Sequence, residues 1–182
     1  MKSFTPTVLL ILDGWGLAPA GPGNAESLAQ TPTLDKILAH PSRTEIEASG
    51  RAVGLPEGYM GNSEVGHMNL GAGRIVYQDM TLIDMALEKG EFPANKAIAG
   101  VLDSTKKSGG SVHFIGLLSD GGVHSHIAHL KGLIDAAGEA GVPAVVHAFM
   151  DGRDTSPTSG AGFVRELQDH TEKNRPSTTG SL

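Results

Sequence analysis

The second half of the chain alternates short apolar runs with longer amphipathic segments. The apolar runs are Ser111–Leu118 and Ala144–Phe149. The segments that follow them, Ser125–Ala140 and Gly160–Lys173, carry apolar residues at helical spacing. Strands that alternate with helices at this spacing form parallel βαβ units. The pattern therefore predicts an α/β fold with two buried parallel strands.

The loops that follow the two predicted strands are rich in ionisable residues. They read SDGGVHSH (119–126) and DGRDT (151–155). Because both loops leave the carboxyl ends of parallel strands, they should lie side by side, where open α/β sheets bind ligands. We expect His124, Arg153 and Asp154 to converge on one cleft there. His113 and His147 lie inside the apolar runs and are interpreted as core histidines.

The first half is less regular. Thr7–Leu12 is continuously apolar and predicts another buried parallel strand, in a different unit from the other two. Asp13 follows it, either as a ligand-binding acid at a strand end or as an ordinary turn aspartate. Thr44–Ala48 alternates and predicts a short strand. Helices are predicted from Pro32, over Gln78–Glu88 and over Asn95–Lys107, whereas 21–30 is interpreted as a loop.

The stretch Gly58–Tyr77 holds five glycines and almost no helical or strand period. Glycine permits close approach of the backbone and positive φ. Loops on a rigid scaffold often carry chemistry, so Ser63 is a candidate nucleophile. The alternative is a glycine-rich connection with a serine in a turn.

Composition narrows the class of protein. The chain has 182 residues, with 14 Lys+Arg against 20 Asp+Glu, a balance that argues against binding nucleic acid or an anionic membrane. It has no cysteine, which excludes disulfides, thiolate catalysis and cysteine zinc sites. The apolar run before Asp13 is too short for a signal peptide or a membrane span. We therefore expect a cytoplasmic protein with neither nucleic acid nor membrane as a partner.

Six sequence blocks occur between about Thr7 and Pro157: VLLILDGWG, GNAE, TPTLD, ASGRAVGLPEGYMGNSEVGHMNLGAGRIVYQD, GLLSDGGVHSHIAHL and VHAFMDGRDTSP. In these blocks and in their order, the chain resembles the cofactor-independent phosphoglycerate mutases of the alkaline-phosphatase superfamily. The resemblance implies a glycolytic and gluconeogenic isomerase that interconverts 3- and 2-phosphoglycerate through a phosphoserine. It also implies two divalent cations, with manganese the expected metal, and no use of 2,3-bisphosphoglycerate.

The resemblance assigns roles to residues. Ser63 matches the family nucleophile, and Asp13 and Ser63 match ligands of one metal. His124, Arg153 and Asp154 match residues that hold the phosphoglycerate substrate. The residue types suit these roles, because a serine hydroxyl needs a base or a metal for activation and a guanidinium can bind a carboxylate or phosphate through two hydrogen bonds.

The resemblance also implies a domain organisation. Residues 1–77 match the N-terminal segment of a split phosphatase-like domain, and 78–182 match part of an inserted α/β substrate-binding domain. The tail from about 174 is expected to be disordered and unlike the family. The family's C-terminal piece, which supplies most metal ligands, is not in this sequence. We therefore interpret the chain as a truncated portion, inactive alone, with a complementary C-terminal fragment as a possible partner.

Two other functions fit the same residues. One is a non-catalytic phosphoglycerate-binding module that uses His124, Arg153 and Asp154. The other is a zinc hydrolase built on His124, His126 and His129, which form an H-x-H-x-x-H pattern.

Overall fold

A computed structural model describes residues 5–173 of the chain. The chain divides into two compact units, Met1–Tyr77 and Gln78–Leu182. The tail that the sequence predicts to be disordered, from about residue 174, lies outside the described residues. Between residues 5 and 173 no helix is long and apolar enough to cross a membrane.

The first unit consists of short helices joined by segments without regular secondary structure. The helices are α1 (Ala25–Leu28), α2 (Pro32–Leu38), a 3-10 helix (Gly50–Val53) and α3 (Ser63–Ala72). The α1 helix lies in a segment predicted to be a loop, and the Asn24 side chain accepts the Ser27 N–H at its start, 3.3 Å away. Pro32 occupies the first position of α2, as predicted.

The prediction of two strands in this unit is wrong. Thr7–Leu12 has no regular secondary structure and pairs with no strand in the part of the chain that the structure describes, and the Val8 side chain is 86% exposed. Thr44–Ala48 also forms no strand. A continuously apolar strand is stable as a strand when neighbours pair with its edges and cover its faces. The described residues of the first unit supply no such neighbour.

The glycine-rich stretch predicted to be a loop contains the helix α3. The Asn62 side chain caps the helix by accepting the Val65 N–H, 3.1 Å away, and Gly73 ends it with a φ of +63°. Asn69 ties α3 to its surroundings, because its side chain donates to the Val53 carbonyl (2.9 Å) and accepts the Val76 N–H (2.8 Å). Side-chain caps and cross-links thus offset the low helix propensity of the glycines.

The second unit has the predicted alternation of helices and strands. It contains α4 (Asp79–Glu88), α5 (Lys96–Ser108), β1 (Val112–Leu118), α6 (Ile127–Ala140), β2 (Ala144–Met150) and α7 (Gly160–Lys173). The two strands pair in parallel, with a register from Val112 opposite Ala144 to Leu118 opposite Met150. The predicted α/β fold class and the βαβ unit are therefore confirmed.

Two apolar clusters lie where helices cover the inner face of this sheet. One cluster contains Phe92, Leu102, Val112, Ala136, Ala137, Val142 and Ala144. The other contains Leu118, Ile127, Ile134, Val146 and Leu167. The α6 helix contributes to both clusters, and its Gly132 allows close packing, since a Cβ there would lie 2.4 Å from Leu87 Cδ1 and 3.0 Å from Phe92 Cε2. Burial of these side chains is the main source of stability for the unit.

The opposite face of the sheet is exposed, which corrects the prediction that both strands are fully buried. Ile115 is 66% exposed and Phe149 60% exposed. His113 and His147 also lie on this face, so their interpretation as core histidines is wrong. Their rings meet through His113 Nδ1 and His147 Nε2, 2.9 Å apart, with one nitrogen donating a hydrogen bond to the other. Side chains alternate between the two faces of a strand, and the helices of residues 78–173 cover only one face of this sheet.

Two isoleucines test this assignment of the core. Ile134→Ala should lower the free energy of unfolding by about 2–5 kcal/mol, because Ile134 is 1% exposed and its removal leaves a cavity. Ile115→Ala on the exposed face should cost less than about 1 kcal/mol. Urea unfolding followed by circular dichroism measures both. Equal losses would show that the exposed face is covered in solution.

Candidate active site

The predicted nucleophile Ser63 lies beside the predicted metal ligand Asp13. Ser63 is the first residue of α3, and its Oγ donates a hydrogen bond to Asp13 Oδ2 over 2.6 Å. The two residues are 50 positions apart in sequence, so the fold of the first unit brings them together. Both side chains are exposed, and the hydroxyl is therefore accessible to a ligand.

His67 completes a three-residue cluster with Ser63 and Asp13. Its Nδ1 lies 2.8 Å from the Ser63 carbonyl oxygen and 3.2 Å from Ser63 Oγ. A carbonyl only accepts hydrogen bonds, so Nδ1 carries the proton and donates. Because Ser63 Oγ gives its own hydrogen to Asp13, it is free to accept from the same Nδ1–H. The sequence prediction assigned His67 no role, since its i+4 relation to Ser63 has meaning only on a helix.

The second unit brings together the three predicted substrate-binding residues. Asp154 lies between the other two: its Oδ2 is 3.6 Å from His124 Nε2 and its Oδ1 is 4.0 Å from Arg153 Nε. The loops after β1 and β2 therefore meet, as their place at the carboxyl ends of parallel strands predicts. The Arg153 side chain is 88% exposed, so its guanidinium projects into solvent rather than into an enclosed cleft.

A buried serine–aspartate pair underlies these loops and was not among the predicted site residues. Ser119 Oγ donates to Asp151 Oδ2 over 2.7 Å, and Asp151 Oδ1 accepts the backbone N–H groups of Arg153 (2.9 Å) and Asp154 (3.1 Å). These bonds, first that from the Arg153 N–H and then that from Ser119, hold the pKa of the Asp151 carboxyl well below its ordinary value. Asp151 is thus a permanently ionised acceptor at neutral pH.

The three histidines proposed for a zinc site have separate partners. His124 faces Asp154, the Nδ1 of His126 accepts the Ala128 N–H at the start of α6, and His129 Nε2 lies 2.6 Å from Asp84 Oδ1. Within residues 5–173, no three His, Cys, Asp or Glu side chains are grouped so as to hold a metal ion. The geometry of the described residues therefore does not favour the zinc hydrolase.

Comparison with known proteins identifies the family. The profile of a family described as BPG-independent PGAM N-terminus matches residues 83–182, more than half of the chain. This chain belongs to that family. The resemblance inferred from the sequence blocks is confirmed. The match continues to residue 182, so the expectation that the tail from about 174 departs from the family is wrong.

Relatives of this family member share high identity with it over a limited part of their length. It is 62% identical over 180 residues to the 2,3-bisphosphoglycerate-independent phosphoglycerate mutase of Nitratidesulfovibrio vulgaris, covering 99% of this chain and 35% of that protein. It is 56% identical over 162 residues to the enzyme of the same name from Lawsonia intracellularis, covering 89% of this chain and 32% of that protein. The chain thus spans about a third of the length of these relatives.

A solved structure shares the fold. The phosphoglycerate mutase of Leishmania mexicana, crystallised at low cobalt concentration, superposes with a TM-score of 0.62 and 37% sequence identity. The match covers 94% of this chain and 32% of that one.

The low pKa of Asp151 predicts how acid affects stability. A carboxyl whose pKa is depressed by folding adds stability at pH values above its ordinary pKa, near 3.9, and loses that contribution as pH falls toward the folded value. Asp151→Asn should therefore lower the free energy of unfolding at pH 7, and the difference from the native protein should shrink below about pH 4.

Urea unfolding at pH 7, 5, 4 and 3 measures this difference, with Asp120→Asn in the same loop region as the matched control. Asp120 is exposed, and its replacement should change stability little at any of these pH values. A stability difference for Asp151→Asn that stays constant from pH 7 to pH 3 would contradict the assignment.

Proposed function

We propose that the chain carries the nucleophile and substrate-binding loops of a metal-dependent phosphoglycerate mutase, an isomerase that interconverts 3- and 2-phosphoglycerate through a phosphoserine on Ser63 without 2,3-bisphosphoglycerate. The observation that carries the proposal is the 2.6 Å hydrogen bond from Ser63 Oγ to Asp13 Oδ2, in a chain of this family. Such a contact is the arrangement expected for an activated serine. The reaction places the whole protein in glycolysis and gluconeogenesis, in the cytoplasm.

The proposed chemistry begins with phosphoryl transfer to Ser63. The Ser63 proton moves to the Asp13 carboxylate as Oγ attacks phosphorus, the Oγ–P bond forms, and the bond from phosphorus to the substrate O3 breaks. The O3 oxygen leaves as an alkoxide and takes up a proton from solvent. In the second half the O2 hydroxyl loses a proton to solvent as it attacks the phosphoserine, and Asp13 returns its proton to Ser63 Oγ. The reverse steps at O2 give 2-phosphoglycerate. The His67 Nδ1–H, which lies 3.2 Å from Ser63 Oγ, can donate a hydrogen bond to that oxygen.

Two divalent cations, with manganese the expected metal, belong to this proposal. The Asp13 carboxylate and the Ser63 hydroxyl are hard oxygen donors 2.6 Å apart, and they suit one part of the shell of such a cation. When bound, the cation would lower the pKa of the serine hydroxyl and neutralise phosphate charge. We propose a complementary C-terminal segment as the source of the remaining ligands, since the chain spans only about a third of the length of its relatives.

The substrate-binding role falls to the loops of the second unit. The exposed Arg153 guanidinium suits a carboxylate or phosphate through two parallel hydrogen bonds. The Asp154 carboxylate can accept from the substrate hydroxyl, and the His124 ring, whose Nε2 lies 3.6 Å from Asp154 Oδ2, can donate to the same hydroxyl or accept from it. We accordingly propose that 1–77 is the N-terminal segment of a split phosphatase-like domain and that 78–182 is part of an inserted substrate-binding domain. The division into two compact units supports this.

The size of the rate acceleration indicates that the chain needs a complementary C-terminal segment for turnover. Enzymes accelerate the hydrolysis of phosphate monoesters by up to ~10²¹-fold, whereas a positioned general base supplies only ~10²–10⁴. The remainder must come from cations and oriented charge. One carboxylate and one serine are too few ligands for two dications.

We therefore expect no mutase activity from the purified chain with manganese and 3-phosphoglycerate. Addition of the remaining C-terminal portion of the Nitratidesulfovibrio vulgaris relative should restore turnover and a phosphate on Ser63, detected by mass spectrometry. Ser63→Ala should abolish both, whereas Ser42→Ala, at another exposed serine, should not. Turnover by the chain alone that depends on Ser63 would contradict the need for a complement.

A second experiment tests substrate binding. Arg153→Ala should weaken 3-phosphoglycerate binding to the chain about tenfold or more, because a charge-assisted hydrogen-bonded pair is lost. Arg153→Lys should recover only part of the affinity, since an ammonium cannot bind through two parallel bonds. Isothermal titration calorimetry measures both, and Arg165→Ala on α7 is the control. If the chain binds 3-phosphoglycerate but Ser63 is never phosphorylated, even with the complement, the non-catalytic binding module is favoured.

A further inference from the structure

The buried pair Ser119–Asp151 joins the two loops that carry the proposed substrate-binding residues. Ser119 follows β1 and is 1% exposed, and Asp151 follows β2 and is 8% exposed. The last residues of the strands, Leu118 and Met150, face each other in the parallel register, so the pair stands directly above the end of the sheet. Its hydrogen bond therefore continues the pairing of the strands into the loops.

The two oxygens of Asp151 have different tasks. Oδ2 accepts from Ser119 on the neighbouring loop, and Oδ1 accepts the N–H groups of Arg153 and Asp154 on its own loop. An aspartate that bonds backbone N–H groups two and three residues ahead fixes a tight turn. The conformation of this turn sets the Cα positions of Arg153 and Asp154 and thus the direction in which their side chains leave the backbone. With the second oxygen bound to Ser119, the turn is also oriented relative to β1.

Close packing adds a second constraint on the same loop. A Cβ at Gly121 would lie 2.9 Å from the Asp154 Cβ and 3.3 Å from Thr155 Cγ2. Any residue larger than glycine would push Asp154 away from the loop that carries His124. The His124–Asp154 distance of 3.6 Å thus depends both on hydrogen bonds at Asp151 and on the missing side chain at Gly121.

We propose that Ser119 and Asp151 are positioning residues for phosphoglycerate recognition, which hold the loop 151–155 in the conformation that sets Asp154 beside His124 and presents Arg153 to an anionic group. Both side chains are buried, so they act through the loop and not by touching the ligand. The inference rests on the proposed function, because it takes phosphoglycerate as the ligand of these loops.

The test uses the whole chain and two readouts. Calorimetry measures 3-phosphoglycerate affinity, and NMR hydrogen exchange measures protection of the Arg153 and Asp154 amides. Ser119→Ala and Asp151→Ala should each lower affinity about tenfold and speed exchange of both amides. Asp151→Asn, which keeps one acceptor oxygen, should fall between the native protein and Asp151→Ala. Gly121→Ala should lower affinity through steric displacement alone, and Gly100→Ala, in open space on α5, is its control.

Ile134→Ala is a control that distinguishes a general loss of stability from a loss of loop positioning. That core variant, assayed where it remains folded, should keep native affinity and native protection of the two amides despite its lower stability. Unchanged exchange of the Arg153 and Asp154 amides in Asp151→Ala would overturn the inference. So would native affinity in Ser119→Ala and Asp151→Ala when Arg153→Ala binds weakly.

Failure of the proposed function has a different signature. If the native chain does not bind 3-phosphoglycerate, or if Arg153→Ala binds it as the native chain does, the substrate assignment is wrong. Amide exchange then decides whether Ser119 and Asp151 position the loop: faster exchange supports that role, and unchanged exchange rejects it.

Discussion

The parallel pairing of β1 with β2 is the interaction on which the second unit depends. The pairing sets Val112 and Ala144, and then Phe114 and Val146, on one face, where α5, α6 and α7 cover them. The same register brings both strands to an end at the same level, so the two loops leave side by side. The register of β1 and β2 therefore determines both the packing of the core and the position of the two loops. A slip of one residue would turn the apolar set outward and separate Ser119 from Asp151.

The first unit is held by side-chain bonds to the backbone more than by a large apolar core. Asn62 caps α3, and Asn69 connects the helix to Val53 and Val76. The position of Ser63 at the first residue of α3 follows from that cap. Asp13 reaches Ser63 from the irregular segment that begins at Thr7. In the first unit, hydrogen bonds from polar side chains connect the segments, whereas strand pairing does so in the second unit.

Sequence predicted the second unit well and the first poorly, for a physical reason. The segments from Gln78 to Lys173 have strong 3.6-residue or strand-like patterns, and their observed bounds lie within about two residues of the predicted ones. Thr7–Leu12 has an equally clear apolar pattern, but a strand requires partners, which no local pattern specifies. The helix α3 was missed because its glycines have low helix propensity. Its stability comes from the side-chain cap and from hydrogen bonds to neighbouring segments, which the sequence pattern does not show. Asp13 and Ser63 were candidates from their places in the sequence and took their expected roles from the resemblance, whereas the contact of His67 with Ser63 could be seen only once that helix was known.

Two serine–aspartate pairs of the same length show how burial decides what a pair can do. Ser63 Oγ donates to Asp13 over 2.6 Å, and Ser119 Oγ donates to Asp151 over 2.7 Å. At Ser119 the hydroxyl is enclosed and the other carboxylate oxygen is occupied by two backbone N–H groups, so the pair is limited to holding a loop. At Ser63 both partners are exposed, so the hydroxyl can meet a phosphoryl group and the carboxylate can accept the proton. The proposed chemistry therefore falls to Ser63 and Asp13, which are open to solvent, and the proposed positioning role falls to Ser119 and Asp151, which are buried.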